Sequence, residues 1–471
     1  MTDAIWITFL QISFFKSAFA RHGWELSIFV NMRKPLLSLI LALAVSGCVK
    51  PSSELTLLVG TYTDSGSEGI YTYRFDSRAG SSKLLSVTPI DNPSFLTVSG
   101  DGKIVYSVSE QDDESSVSAF DFDASEGALA FRNRMSTFGR SACHVCCIGK
   151  EVVATNYSSG SMTIFPLDDD GDLKEGTLLE FSGSGPVAGR QECSHIHSSQ
   201  LSHDGRYLFV TDLGGDLVYR FPVKDGEVSS LDPYEIKVPA GQGPRHFTFS
   251  RDGRFMYVLT ELGGTVVVYE YAGGDLRQLQ VIDADPSHAG GSADIHFSPD
   301  GKFLYASNRL KGDGLAIFSQ DSETGLLTWV GYQETGLHPR NFTISSDGRF
   351  VLVACRDSNK VQVFKRDCRS GLLTDLHKDI ILPHPVYVQL VPATAFTLPS
   401  ISLPARRVPR RTTKSRFCQI PARRVPPELH GHVFAKYLPA QFLTYTVRGL
   451  YRNDKRIWDD RGVRCYLLVM E

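Results

Sequence analysis

A unit of roughly 48 residues recurs along this chain, and a short repeat of this kind restricts the fold to an array or a ring. Its punctuation is a Ser-x-Asp-Gly-Lys/Arg turn at 99–103, 202–206, 250–254, 298–302 and 345–349, with Gly100 in the second position of the first copy and a shortened form at Gly149-Lys150. Asp-Gly between alternating apolar runs marks a tight hairpin, because such turns need positive φ and glycine adopts it without steric cost. Each unit holds four strand-like pieces. In one copy these are Pro244-Arg245-His246-Phe247, Met256-Tyr257-Val258-Leu259-Thr260, Val266-Val267-Val268-Tyr269 and a fourth beginning near Leu276. The first copy, Leu57-Leu58-Val59-Gly60-Thr61, has no innermost strand before it, whereas the last, His384-Pro385-Val386-Tyr387-Val388, is an innermost strand alone. The two half-units therefore complete each other. The pattern predicts an all-β, seven-bladed β-propeller with four antiparallel strands per blade, closed by pairing of its N- and C-terminal strands. Two stacked sandwiches would not produce the permuted ends.

The propeller should occupy residues 55–391 as one body, although 471 residues would ordinarily suggest about three domains. Residues 32–48 have a basic start, a short apolar core and small residues before Cys48, the pattern of a bacterial lipoprotein signal whose cysteine is lipidated. The apolar run is too short to span a bilayer. Residues 1–31 then read as an upstream extension, and the expected location is the cell envelope, lipid-anchored, with a cytoplasmic protein as the alternative. Residues 392–471 carry about ten more basic than acidic side chains in a Pro/Arg-rich setting and read as a disordered or non-native tail. With a net charge of −3 overall, that tail leaves the propeller acidic, which argues against nucleic acid as a ligand. Of nine cysteines, Cys143, Cys146 and Cys147 surround His144, but a zinc site needs a second ligand pair at compatible spacing and none is visible, so no metal is expected. A bridge from this group to Cys193 stays open.

The starts of the innermost strands converge on one mouth of a propeller. Here they offer Asn92, His144, His195 with His197, Arg245 with His246, Asp294 with His296, Arg340 with Asn341, and His384. His195 and His197, two apart, are expected to face the same side. Such a funnel attracts a small anion and holds imidazoles near neutral pKa. His246, His296 and His384 read as structural ties. Functional weight falls on His144, Arg190, His195 and Arg245, because Arg190 follows a Gly-rich insertion at 183–189 that lengthens its repeat, and an off-period loop beside the funnel suits binding. Glu261, Glu110 and Asp212 end equivalent strands, and a carboxylate beside such cations could serve as general base or orienter. No G-x-S-x-G elbow, P-loop or H-E-x-x-H motif occurs.

Gly60-Thr61-Tyr62-Thr63, Asn92-Pro93-Ser94-Phe95-Leu96, Cys143-His144-Val145, Asn156-Tyr157, Arg190-Gln191-Glu192, His195-Ile196-His197, Asp212-Leu213-Gly214, Gly243-Pro244-Arg245-His246, Glu261-Leu262, Ser307-Asn308-Arg309 and Pro339-Arg340-Asn341-Phe342 together resemble the lactonase seven-bladed propeller family. This family comprises the propeller-type 6-phosphogluconolactonases and is also called cycloisomerase 2 after its muconate-lactonising members. Ser194 stands where the family usually has proline before the His-x-His pair. The resemblance implies hydrolysis of a sugar lactone without a metal; no cofactor is expected, the partners are the small-molecule lactone and, only through the lipid anchor read from residues 32–48, the membrane, and a monomer is expected. His144, His195 and Glu261 would then be catalytic, while Arg190, His197, Arg245, Arg340 and Asp212 would bind substrate. The alternatives are a lactonising cycloisomerase of the muconate type and a non-catalytic binding propeller of the envelope.

Overall fold

The computed structural model describes residues 54–393, so the lipoprotein-type segment with Cys48, the upstream extension and the basic tail lie outside the described residues. Within that span seven separate antiparallel sheets are formed. The closing blade joins both ends of the repeat region: strand Glu54–Thr61 pairs with Gly69–Asp76 on one side and with Pro385–Pro392 on the other, in the register Leu55 to Pro392 and Val59 to Val388. The two ends of the repeat region therefore complete one four-stranded blade, as the permuted ends require. Each second strand is apolar on both faces, because each sheet is packed between two others. Ile104–Ser109, Phe255–Thr260 and Phe303–Asn308 are buried along their whole length. Tyr257, Leu259 and Val268 of one blade pack with Ile295, Leu304 and Phe318 of the next. The only helical element among the described residues is the 3-10 turn Arg356–Ser358, and none of their helices could cross a membrane.

The Asp-Gly turns are longer than the two-residue hairpins expected from the dipeptide. Between Pro244–Phe249 and Phe255–Thr260 the chain makes a five-residue loop, 250–254. Ser250 Oγ donates to Asp252 (2.7 Å), while the amides of Arg254 and Phe255 donate to Asp252 Oδ1 (3.2 Å) and Ser250 Oγ (3.0 Å). Gly253 takes φ +72°, which closes the loop. The serine and aspartate thus saturate backbone groups that a shorter turn would not leave free. The same Ser-to-Asp bond recurs from Ser202, Ser298 and Ser345.

A second departure from simple alternation positions the site. Near its start, the innermost strand slips register against its neighbour between Ala142 and His144, Ile196 and Ser198, Pro244 and His246, Ser292 and Ile295, and Pro339 and Asn341. A bulge re-aims the side chain it carries and bends the strand. Cys143, His197, Arg245 and Arg340 are bulge residues, and the residue after each begins the regular ladder. Two adjacent side chains on one strand consequently both serve the centre of the ring, at different depths.

Candidate active site

The outer layer is built around Glu261. This residue directly follows the strand Phe255–Thr260, and its amide donates to Gly243 O (2.7 Å). Its Oε1 meets Arg190 Nη2 at 2.6 Å, and its Oε2 meets Arg245 Nε at 2.8 Å and Arg309 Nη2 at 3.1 Å. Arg245 is 2% exposed and Arg309 6%, so their charges are met by Glu261 and by carbonyls rather than by water. Arg245 Nη1 donates to Ala293 O, and Arg309 Nε donates to Gly291 O (2.9 Å). Across the mouth Arg340 lies over the Tyr62 ring, 5.5 Å from its centroid, and 3.7 Å from Glu110, which also accepts from Tyr62 Oη (3.0 Å). Four guanidinium groups, those of Arg190, Arg245, Arg309 and Arg340, thus share two carboxylates, those of Glu261 and Glu110, leaving two positive charges in excess.

Burial alone would raise the Glu261 pKa, but Arg309, Arg245 and Arg190 outweigh it and hold the carboxyl at about 2. Both of its oxygens are engaged by guanidinium groups, so Glu261 gathers and spaces the arginines instead of standing free to take a proton, unlike the base role expected from the sequence. Asp212 is corrected too. It lies one residue too early, at the position of Thr260, and it is fully buried. Its Oδ1 accepts the amides of His195 (2.8 Å), Gly214 (3.0 Å) and Gly215 (3.0 Å), so it shapes a turn instead of meeting a ligand.

His195 and His197 do not share a strand face, because His197 is the bulge residue. They nevertheless meet at Tyr157. The His195 ring stacks on it at 4.4 Å with Nδ1 3.0 Å from Tyr157 O, and His197 approaches edge-on at 5.7 Å. Arg190 Nη2 also reaches Tyr157 Oη, at 3.5 Å. The insertion carrying Arg190 is pinned by Gln191 Nε2 donating to Leu213 O (2.8 Å), and the off-period loop sets its arginine against Glu261.

His144 lies deeper than the outer layer. As the residue after a bulge it packs on Phe95 (ring centroids 4.1 Å apart) and against the edge of His246 (5.7 Å), within the channel and away from the arginine cluster. Burial, reinforced by His246, drives its pKa well below the usual value. His246 Nδ1 donates to Asp294 Oδ1 (2.8 Å), and His296 Nε2 lies 2.8 Å from Asp294 Oδ2. On the rim Asn92 Oδ1 accepts the Thr63 amide (2.8 Å), and His384 pairs with Asp64 (2.9 Å).

Arg309, Tyr62 and Tyr157 were not singled out as site residues from the sequence. Their signal was positional: each follows the last residue of a second strand, as Glu110 and Glu261 do. Among the described residues the cysteines are unbridged, Cys143 and Cys193 included, and no group of three or more His, Cys, Asp or Glu is gathered as metal ligands.

The low carboxyl and imidazole pKa values have a consequence for the whole fold. Glu261 titrates at about 2 against an ordinary 4.5, so its stabilisation is complete above about pH 4.5 and is lost as pH falls toward 2. His246 is held by burial at about 4 against 6.5, so the unfolded chain takes up that proton first and stability also falls from pH 6.5 toward 4. Calorimetric melting temperatures are expected to drop steadily from pH 6.5 downward and, because Asp294 outweighs burial and raises the His296 pKa, to lose the His296 contribution as pH rises through its folded value. A melting temperature constant between pH 7 and 4 would contradict this burial.

The family model "Lactonase, 7-bladed beta-propeller" matches residues 56–390, the span of the ring. The chain belongs to this lactonase family. A 6-phosphogluconolactonase of Formosa agariphila is 38% identical over 340 residues, covering 69% of this chain and 96% of that protein. One of Bacillus subtilis is 33% identical over 343 residues, covering 71% and 97%. Among solved structures, a putative 6-phosphogluconolactonase of Bacteroides fragilis is 47% identical with a TM-score of 0.71, covering 73% of this chain and all (100%) of that one. A periplasmic gluconolactonase of Pseudomonas aeruginosa is 34% identical with a TM-score of 0.68, covering 73% and 100%. As a propeller lactonase, the chain draws much of its mouth from two positions repeated around the ring: the bulge, which carries His197, Arg245 and Arg340, and the residue after the second strand, which carries Tyr62, Glu110, Tyr157, Glu261 and Arg309.

Proposed function

We propose that this propeller lactonase hydrolyses a sugar δ-lactone bearing an anionic group, of the 6-phosphogluconolactone type, to the open-chain aldonic acid. The observation that carries the reading is the excess of guanidinium over carboxylate at the mouth, four against two. That excess suits a phosphate or carboxylate and the oxyanion that forms when water attacks the ring carbonyl. Arg190 and Arg340, the more accessible pair, bind the anionic group. Arg245 and Arg309, fixed by Glu261, face the developing oxyanion. His197 takes the proton of the attacking water and returns it to the ring oxygen as the ester bond breaks. Burial, followed by Arg245, holds the His197 pKa well below the usual value, so it is neutral at working pH and its conjugate acid gives up the proton readily. His195, stacked on Tyr157, positions a sugar hydroxyl.

We place this activity at the cell envelope, anchored through Cys48. The lipoprotein-type sequence pattern of residues 32–48 supports that address, as does the periplasmic gluconolactonase among the relatives. The test is ring opening of glucono-δ-lactone and its 6-phosphate by purified protein, followed by acid release against the spontaneous rate. Acceleration of the phosphorylated lactone at lower KM supports the reading. Unchanged spontaneous rates with both substrates overturn it, and turnover of cis,cis-muconates instead would assign lactonisation.

A further inference from the structure

Beneath the arginine layer, two buried imidazoles have ring nitrogens with no hydrogen-bond partner: His197 Nδ1 and His246 Nε2. An unpaired buried polar nitrogen costs free energy, on the order of 1–3 kcal/mol, so two on neighbouring rings call for a reason. The rings touch, with centroids 5.2 Å apart and planes at 69°. His197 is 4% exposed and His246 7%, so bulk water does not serve these nitrogens. Behind them Asp294, 2% exposed, is fixed by four donors: His246 Nδ1 (2.8 Å), His296 Nε2 (2.8 Å), Asn341 Nδ2 (2.6 Å) and the Phe342 amide (3.2 Å). Asn341 is itself held by the Val388 amide, which donates to its Oδ1 (2.8 Å).

We propose that His197, His246 and Asp294 form a buried proton relay, in which His246 takes up the proton that His197 receives from the hydrolytic water. The inference rests on the lactonase reading above. The carboxylate fixes the direction of the chain. Because Asp294 is ionised, it accepts Nδ1–H of His246, which leaves His246 Nε2 as an acceptor. With the two rings in contact but not directly bonded, that nitrogen takes Nδ1–H of His197 through one bridging water, and His197 Nε2 is left unprotonated toward the mouth. When water attacks the lactone carbonyl, its proton passes to His197 Nε2 as the new C–O bond forms. The His197 Nδ1 proton moves to the bridging water, which gives up a proton to His246 Nε2, placing the positive charge beside Asp294 and away from Arg245. Collapse of the tetrahedral intermediate breaks the ring C–O bond. The proton then returns by the same path to the leaving alkoxide, so the relay is restored and no co-reactant is consumed. A positioning carboxylate behind an imidazole works in this way elsewhere by fixing the tautomer and stabilising the cation.

The test compares the full-length wild type with His246→Gln and Asp294→Asn, using 6-phosphogluconolactone, with thermal melts to establish folding. Turnover is measured in mixtures of H2O and D2O, because two or more protons moving in one step give a curved dependence on deuterium fraction and one gives a straight line. Both variants are expected to lose about 100-fold in kcat with KM unchanged, and to replace a curved dependence with a straight one. A purely structural role would lower the melting temperature without straightening that curve. If Asp294→Asn does not fold, His246→Gln decides alone, since glutamine keeps a donor toward Asp294. A folded His246→Gln enzyme with wild-type kcat and a curved dependence overturns the relay while leaving the lactonase reading intact. A wild-type protein that does not accelerate ring opening overturns the lactonase reading, and the relay with it.

Discussion

Replacing Glu261 by glutamine is expected to abolish turnover and to remove much of the stability of the ring. Glu261 is the shared counter-ion of Arg190, Arg245 and Arg309, two of which are almost fully buried. Glutamine has nearly the same shape and keeps one acceptor oxygen, so packing is preserved and the loss is electrostatic. Breaking a buried ion pair by removing one partner costs about 3–5 kcal/mol, because the remaining charge is left without compensation. Here two buried guanidinium groups are left, and they repel each other. The expected result is a loss of stability of at least about 3 kcal/mol, read from denaturant unfolding, and a fall in kcat/KM of about 1,000-fold. The two readouts separate under ionic conditions. A bound phosphate would partly replace the missing carboxylate, so millimolar phosphate should raise the melting temperature of the variant more than that of the wild type. An E261Q protein that melts like wild type would mean that the arginines are held apart by backbone carbonyls alone.

The architecture was legible because its determinants are local and repeated. The Asp-Gly turns recur at the blade period, and the permuted ends fix ring closure. Arg190 was legible for the opposite reason, since it follows the one insertion that breaks the period. What alternation could not convey is the bulge at the start of the innermost strands. A period-two reading assigns His195 and His197 to one face and brings His144 to the mouth. A one-residue slip instead brings Arg245 and Arg340 to the carboxylates of the mouth and leaves His197, His246 and His144 in ring contact beneath them. Asp212 differs for another reason: as the last residue of its second strand it matches Thr260, one position before Glu261, and it is consumed by backbone amides. Arg309 enters the sequence reading only within Ser307-Asn308-Arg309, without a site role, because an arginine after a strand does not show which carboxylate it faces. Only the ring, which brings the equivalent positions of different blades together, shows it facing Glu261.

Arg245 and Arg190 both touch Glu261, yet their replacement by lysine should affect different kinetic constants. Arg245 reaches two acceptors at once: Nε lies 2.8 Å from Glu261 Oε2 and Nη1 donates to Ala293 O, while its own carbonyl is held by Ser198 Oγ (2.7 Å) and Thr211 Oγ1 (2.7 Å). A lysine ammonium is a single point of charge and does not span both acceptors while also facing the oxyanion. Loss of a preorganised donor to a developing oxyanion costs about 100- to 1,000-fold in kcat, and that is the expected effect of Arg245→Lys. Arg190 sits on the insertion with its side chain 36% exposed, so its charge is screened and its geometry less constrained. Lysine keeps the charge there, and Arg190→Lys is expected to raise KM by about tenfold or less with kcat unchanged, because binding to the anionic group is shared by ground state and transition state. Steady-state kinetics with the spontaneous hydrolysis subtracted distinguishes the two. If Arg245→Lys raised KM alone, Arg245 would be a binding residue, and the task of stabilising the oxyanion would pass to Arg309.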